Sequence, residues 1–277
     1  METVLDGLLF PECPRWRQGE LWFSDMHAGL VYHLDRQLRI AKTISVPADP
    51  AGMGWLPNGD LLVVSMKGNR LYRYNGGELH HYADLESVHQ GQSNDLVMDA
   101  DGTAYVGNFG FDLFAGEEPR ATSLAKVDPS GAVTASADQL MFPNGMVITG
   151  NRTLIVAETF AAQLTAFDIA EDGGLSNRRL WAALGEYVPD GICLDAEGAI
   201  WVAACINHAC IRVAEGGEIL DTISTGELHP YACTLGGDDG RRLFLCNAMD
   251  ADPEKTIPGK SGCIQFVDVA VPGVAAD

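Results

Sequence analysis

The sequence predicts an all-β fold, a six-bladed β-propeller, and three observations carry the prediction. A glycine turn followed by an apolar strand recurs six times, at Gly19, Gly59, Gly102, Gly150, Gly198 and Gly240, with successive spacings of 40 to 48 residues. Most units then carry a further strand-like run, as in Leu30–Leu34, Arg70–Tyr74, Leu124–Val127, Leu164–Phe167 and Cys263–Val267. No convincing amphipathic helix separates the copies, and a sandwich does not produce this period.

Each element follows from local composition. In the first unit Phe10–Pro14 leads into Leu21–Asp25 after the turn at Gly19, and the fifth runs Val188–Leu194, a turn at Ala196–Ala199, then Ile200–Val202. The N-terminal segment Thr3–Phe10 is expected to pair with the last blade, which ends near Val269, so that the chain termini share one blade and close the ring. The units differ most at Phe109–Thr122 and Asn247–Gly262, two insertions expected to rim one mouth of the channel. Residues 1–277 are read as one propeller domain, a size at which all-β rings are commonly undivided.

Composition excludes several classes of function. The formal charge of −20, from 18 basic and 38 acidic residues, repels phosphate backbones and anionic lipid surfaces, so neither nucleic acid nor a membrane is an expected partner. There is no run of eighteen apolar residues, and no basic segment followed by an apolar one opens the chain, so a cytoplasmic protein is expected, a monomer or small homo-oligomer. The seven cysteines form no C-x-x-C pair and mostly lie in apolar runs, the pattern of buried free thiols. The seven histidines form no metal or triad pattern and are expected at the surface, with a reservation for His229 beside Pro230 and Tyr231. No G-x-S-x-G elbow and no phosphate-binding glycine loop is present.

The repeat makes a site legible, because residues at one phase of every blade meet at the channel mouth. At the entrance of the inner strands stand Glu12, Gly52 with Met53, Asn94 with Asp95, Asn144, Asp190 and Tyr231. Asn144-Gly145 and Asp190-Gly191 taken singly are ordinary turn dipeptides. Their coincidence with Glu12 and Asn94 at one phase composes an oxygen-rich cage of two carboxylates and two amides, suited to Ca²⁺, Mg²⁺ or Mn²⁺ rather than to a thiolate-seeking metal. Ser24, Asp25, Ser65, Glu158 and Thr159 follow the inner strands and are candidates for the channel wall, with Glu158 the foremost as an acid or base.

These residues carry a resemblance. Phe10-Pro11-Glu12-Cys13-Pro14 with Leu21–Asp25, then Ser93-Asn94-Asp95, Pro143-Asn144-Gly145 and Pro189-Asp190-Gly191, resemble in order the motifs of the regucalcin, gluconolactonase and luciferin-regenerating enzyme family, across almost the whole chain. The resemblance implies a six-bladed propeller holding one catalytic divalent cation through Glu12, Asn144 and Asp190, with Asn94 binding it or lying beside it; Ca²⁺ leads, with Mg²⁺, Mn²⁺ and Zn²⁺ as alternatives. Where animal members carry an arginine that touches a sugar lactone, this chain has Gln92, which lacks the charge and fork of arginine and puts sugar specificity in question.

The expected function is metal-dependent hydrolysis of a lactone or similar small ester. Asp190 is the ligand and general base, Asn94 orients substrate, Glu158 is the reserve base, and Gln92, Tyr231 and His229 are further substrate contacts. Two alternatives stand: phosphotriester or fluorophosphate hydrolysis at the same metal, and a non-catalytic calcium-binding or scaffold propeller. A scaffold has no need of carboxylates inside its channel, where an unpaired charge is costly.

Overall fold

The computed structural model describes residues 1–274 and consists of six four-stranded antiparallel sheets arranged as a β-propeller. Blades 1 to 5 run in chain order from the axis outward, beginning with the inner strands Pro11–Arg17, Pro50–Trp55, Ser93–Met98, Pro143–Ile148 and Pro189–Leu194. Blade 6 takes His229–Gly236, Arg242–Ala248 and Gly262–Asp268 from the end of the chain and its outermost strand, Glu2–Leu8, from the beginning. The ring is therefore closed by the segment that the sequence assigned to closure.

Burial falls from the axis outward. The inner strand Pro189–Leu194 and its neighbour Ile200–Ala204 are buried almost throughout, whereas the outer strand Ile219–Ser224 is almost wholly exposed. Apolar side chains fill the gaps between neighbouring blades, for example Ile155 and Leu164 of blade 4 against Ile200 and Val202 of blade 5. A strand between two such interfaces is apolar on both faces, which explains continuous runs such as Leu61-Leu62-Val63-Val64.

One feature of the pairing recurs in every blade and was not legible in the sequence. The register between the first and second strands slips by one residue, from Glu12↔Ser24 to Arg15↔Trp22 in blade 1 and from Pro189↔Ala204 to Ile192↔Val202 in blade 5. The same slip falls at Pro50/Met53, Ser93/Leu96, Pro143/Met146 and Pro230/Ala232. Each inner strand thus carries a bulge at its entrance, and a bulge re-aims the side chains it contains. The bulged stretches hold Asn94, Asn144, Asp190 and Tyr231, and in blade 1 the slip begins at Glu12 itself.

The dipeptides Asn144-Gly145 and Asp190-Gly191 lie inside strands rather than in turns. Their glycines answer to space, not to a left-handed backbone. A Cβ on Gly191 would stand 2.5 Å from Ala232 Cβ, and one on Gly145 would stand 2.6 Å from Ile192 N. Inner strands of successive blades converge there, and only a residue without a side chain fits beside Asn144 or Asp190.

Both insertions rim the same mouth, as expected, and the second contains the short helix Pro253–Gly259, capped by Asp252, which accepts from Glu254 N at 2.9 Å. All seven cysteines are free and buried. His89 departs from the expected surface placement: it is 4% exposed, with Nδ1 2.7 Å from Ser93 Oγ. No helix among the described residues is long and apolar enough to cross a membrane.

Candidate metal centre

A cavity of about 640 Å³ opens at the mouth rimmed by the two insertions, with Glu12, Asn94, Asn144 and Asp190 on its polar floor. The inner strands of blades 1, 3, 4 and 5 supply one residue each, so side chains up to 178 positions apart are brought to one place. Tyr231 and His229 of blade 6 also line the cavity. All four floor residues are buried, with Glu12 at 6% and Asp190 at 8% exposure.

The charge balance at the axis is the decisive property. Glu12, Asp95 and Asp190 are three buried carboxylates, and Arg15 is the guanidinium among them. Arg15 is already committed, donating to Asp95 Oδ1 at 2.6 Å and to the carbonyls of Leu96 and Met53 at 2.8 and 3.1 Å. That leaves Glu12 and Asp190 without a cationic partner among the described residues. Glu12 Oε2 accepts from Cys13 N at 2.8 Å, and Asp190 Oδ1 is buried with no hydrogen-bond partner. Burial, and then repulsion from Asp190, pushes the Glu12 carboxyl well above its usual range. Burial likewise pushes Asp190 up to about 8, opposed by the neighbouring Asn144 amide.

An orphaned carboxylate oxygen beside a second unneutralised carboxylate is a donor set that calls for a divalent cation. The oxygen donors of Glu12, Asp190, Asn144 and Asn94 fit Ca²⁺ or another hard cation. Asn144 Nδ2 donates to Thr159 Oγ1 at 3.1 Å, an arrangement that leaves the amide oxygen for coordination. Among the described residues no group of three or more His, Cys, Asp or Glu is placed to hold a metal ion, and the floor residues comprise two carboxylates and two amides.

Other candidates are placed elsewhere. Glu158 does not line the cavity: its carboxylate accepts from Met141 N at 2.8 Å and from Gln163 at 3.0 Å, and faces Arg178 at 3.4 Å. Its place in the repeat explains this. Glu158 pairs with Pro143 as Asp25 pairs with Pro11, and Asp25 likewise accepts from the segment before its inner strand, from Phe10 N at 2.8 Å and Leu9 N at 3.0 Å. Both carboxylates are struts that hold an inner strand in position. Ser24 and Ser65 bond to the carbonyls of Ala51 and Pro47, each at 2.6 Å, in the same manner. Gln92 also lies off the cavity, with its carbonyl accepting from Phe109 N at 2.9 Å at the start of the third-blade insertion.

The cavity wall was missed by reading phase alone. Phe109, Phe142 and Phe160 form one aromatic cluster, with centroids 4.3 Å apart for the first pair and 5.2 Å for the second. Phe10 packs against Tyr231 at 4.7 Å and stacks on His27 at 4.9 Å. The available signal was position, since Phe10 and Phe142 each stand two residues before a floor residue.

Known proteins match almost the whole length of the chain. The family model described as SMP-30/Gluconolactonase/LRE-like region matches residues 10–249. The 6-deoxy-6-sulfogluconolactonase of Pseudomonas putida is 25% identical over 276 residues, covering 95% of this chain and 92% of its own length. Regucalcin of Xenopus laevis is 28% identical over 279 residues with the same coverage. Among solved structures, a luciferin-regenerating enzyme superposes with a TM-score of 0.85 at 17% identity, covering 99% of this chain and 97% of that one. A calcium-binding regucalcin from Agrobacterium tumefaciens gives 0.81 at 22% identity, covering 99% and 95%.

Proposed function

Since the chain belongs to the SMP-30/gluconolactonase/LRE-like family, we propose that it is a divalent-cation-dependent lactonase, with Glu12, Asn144 and Asp190 as cation ligands and Asn94 beside them. The observation that supports this most directly is the unbalanced charge at the axis: three buried carboxylates, one committed guanidinium and an Asp190 oxygen with no partner.

A bound divalent cation supplies Lewis-acid stabilisation of the oxyanion that develops when water adds to a lactone carbonyl. The chain's own groups do the rest. Asp190 Oδ1 accepts a proton from the attacking water as the water oxygen bonds to the carbonyl carbon. The ring C–O bond then breaks and the leaving alkoxide takes that proton, giving the open hydroxy acid. Asn94 donates a hydrogen bond that orients the lactone. Burial pushes the Tyr231 hydroxyl far above its ordinary pKa, so it stays protonated and acts as a donor to substrate. Burial, with His208 beside it, holds His229 below the ordinary histidine value, so it meets substrate as a neutral ring near pH 7.

Ca²⁺ is the favoured cation, because the four floor residues offer oxygens, and burial pushes the thiol of Cys205, which also lines the cavity, far above its usual range so that it stays protonated. The test is a screen of lactones and phosphotriesters with metal-stripped protein, then with Ca²⁺, Mg²⁺, Mn²⁺ or Zn²⁺ restored. Cation-dependent lactone opening supports the reading. Turnover confined to phosphotriesters would reassign the chemistry, and cation binding without any turnover would make the protein a calcium binder. A protein that takes up no divalent cation would overturn the metal centre.

A further inference from the structure

Resting on the reading of the site as a lactonase, we infer that its substrate is an uncharged lactone bearing an aryl or alkyl group, and neither a polyhydroxylated sugar lactone nor an anionic one. Blades 3 and 4 face blades 6 and 1 across a six-membered ring, so the Phe109–Phe142–Phe160 cluster and the Phe10–Tyr231 pair form opposing walls above the floor. Phe160 and Ile206 extend the apolar surface to the rim, at 45% and 61% exposure. Opposed aromatic faces bind a flat or apolar ring well.

Polar groups on the wall are few and mostly committed. His27 Nδ1 lies 2.6 Å from Thr256 Oγ1, Thr159 accepts from Asn144, and Asp250 pairs with Lys255 at 2.7 Å. Tyr231 and His229 remain, with the buried Nδ1 of His229 lacking a partner. Two wall groups cannot replace the water lost by the three or four hydroxyls of a sugar lactone, and a hydroxyl buried without a partner opposes binding. Among the described residues no arginine or lysine lines the cavity, and the chain carries a net charge of −20, so a carboxylated or sulfonated substrate meets no counter-charge on the wall. The relative named 6-deoxy-6-sulfogluconolactonase takes, by its name, a substrate of the opposite kind.

The experiment compares kcat/KM of the cation-loaded protein for dihydrocoumarin and δ-decalactone with that for glucono-δ-lactone and for saccharic acid 1,4-lactone, which carries a free carboxylate. The apolar pair should exceed the sugar pair by at least about tenfold, and Phe160→Ala and Ile206→Asn should each lower that ratio severalfold. Both residues are well exposed, so thermal midpoints should stay near wild type. A sugar lactone turned over as well as or better than dihydrocoumarin would overturn the inference while leaving the lactonase reading intact. A calorimetric titration with the inert lactam 3,4-dihydro-2-quinolinone separates the two ideas further. Binding weakened by Phe160→Ala, with no lactone opened under any cation, would retain the apolar cavity and remove the lactonase. Absence of lactam binding would count against the apolar cavity.

Discussion

Arg15 donates to Asp95 Oδ1 at 2.6 Å, joining the inner strand of blade 1 to that of blade 3 and neutralising one of three carboxylates near the axis. The pair sets the charge that the other two present to the cavity. Asp95 is 4% exposed, so Arg15→Met leaves a buried carboxylate unpaired. Urea denaturation should show a loss of about 3 kcal/mol, the usual consequence of removing one partner of a buried pair. A loss under about 0.5 kcal/mol would mean that water already solvates Asp95.

Glu12→Gln and Asp190→Asn should weaken cation affinity and activity together, since each removes a negative charge from the donor set. In wild type, a cation at about 100 times its dissociation constant should raise stability by about 2.7 kcal/mol, and both variants should lose most of that gain at the same concentration. At cation levels high enough to saturate Asp190→Asn, turnover should remain lower by about 10²-fold, the usual contribution of a general base. Near wild-type turnover under saturation would leave Asp190 as a ligand alone.

Gly191→Ala tests why a glycine follows the ligand. The added Cβ would stand 2.5 Å from Ala232 Cβ and 2.6 Å from its Cα, so blades 5 and 6 must move apart. Overpacking of this kind costs about 1–3 kcal/mol, and the displaced Asp190 should weaken cation binding as well. Unchanged stability and affinity would show that the ring opens freely at this joint.

His89 should give acid sensitivity independent of the metal centre. Burial holds its pKa down to about 4, against 6.5 in the unfolded chain. Between those values the unfolded state binds the extra proton, so stability falls as pH drops from about 6.5 towards 4, by up to about 3 kcal/mol. The stability difference between wild type and His89→Gln, followed across that range, should shift in favour of the variant as the medium is acidified. A pH-independent difference would mean that His89 gains water or a counter-charge in solution.

Much of the architecture was legible in one dimension. The turn-and-strand period came through because every blade must present an apolar strand to both neighbours, which imposes the same pattern six times. Glu12, Asn94, Asn144 and Asp190 stood out because the repeat assigns each a phase, and equal phase in a closed ring means proximity. Glu158 shows the limit of that reasoning. It occupies a sound phase, but its side chain turns to Met141 N and Gln163, a direction that strand pairing decides and spacing does not.

The sequence by itself determined the number of blades and the closure by an N-terminal strand, expected over Thr3–Phe10 and found at Glu2–Leu8, and it singled out the four floor residues by phase and residue type. Only the tertiary structure decided the rest. The bulges that aim the floor residues arise from pairing register, and the commitment of Arg15 to Asp95 rather than to Glu12 arises from the convergence of blades 1 and 3. The apolar walls arise because Phe10 and Phe142, each two residues before a floor residue, meet insertions and rim residues from other blades. Hydrophobic periodicity records which face of a strand is buried, but not which neighbour buries it, so the chemistry of the cavity emerges only when the ring is closed.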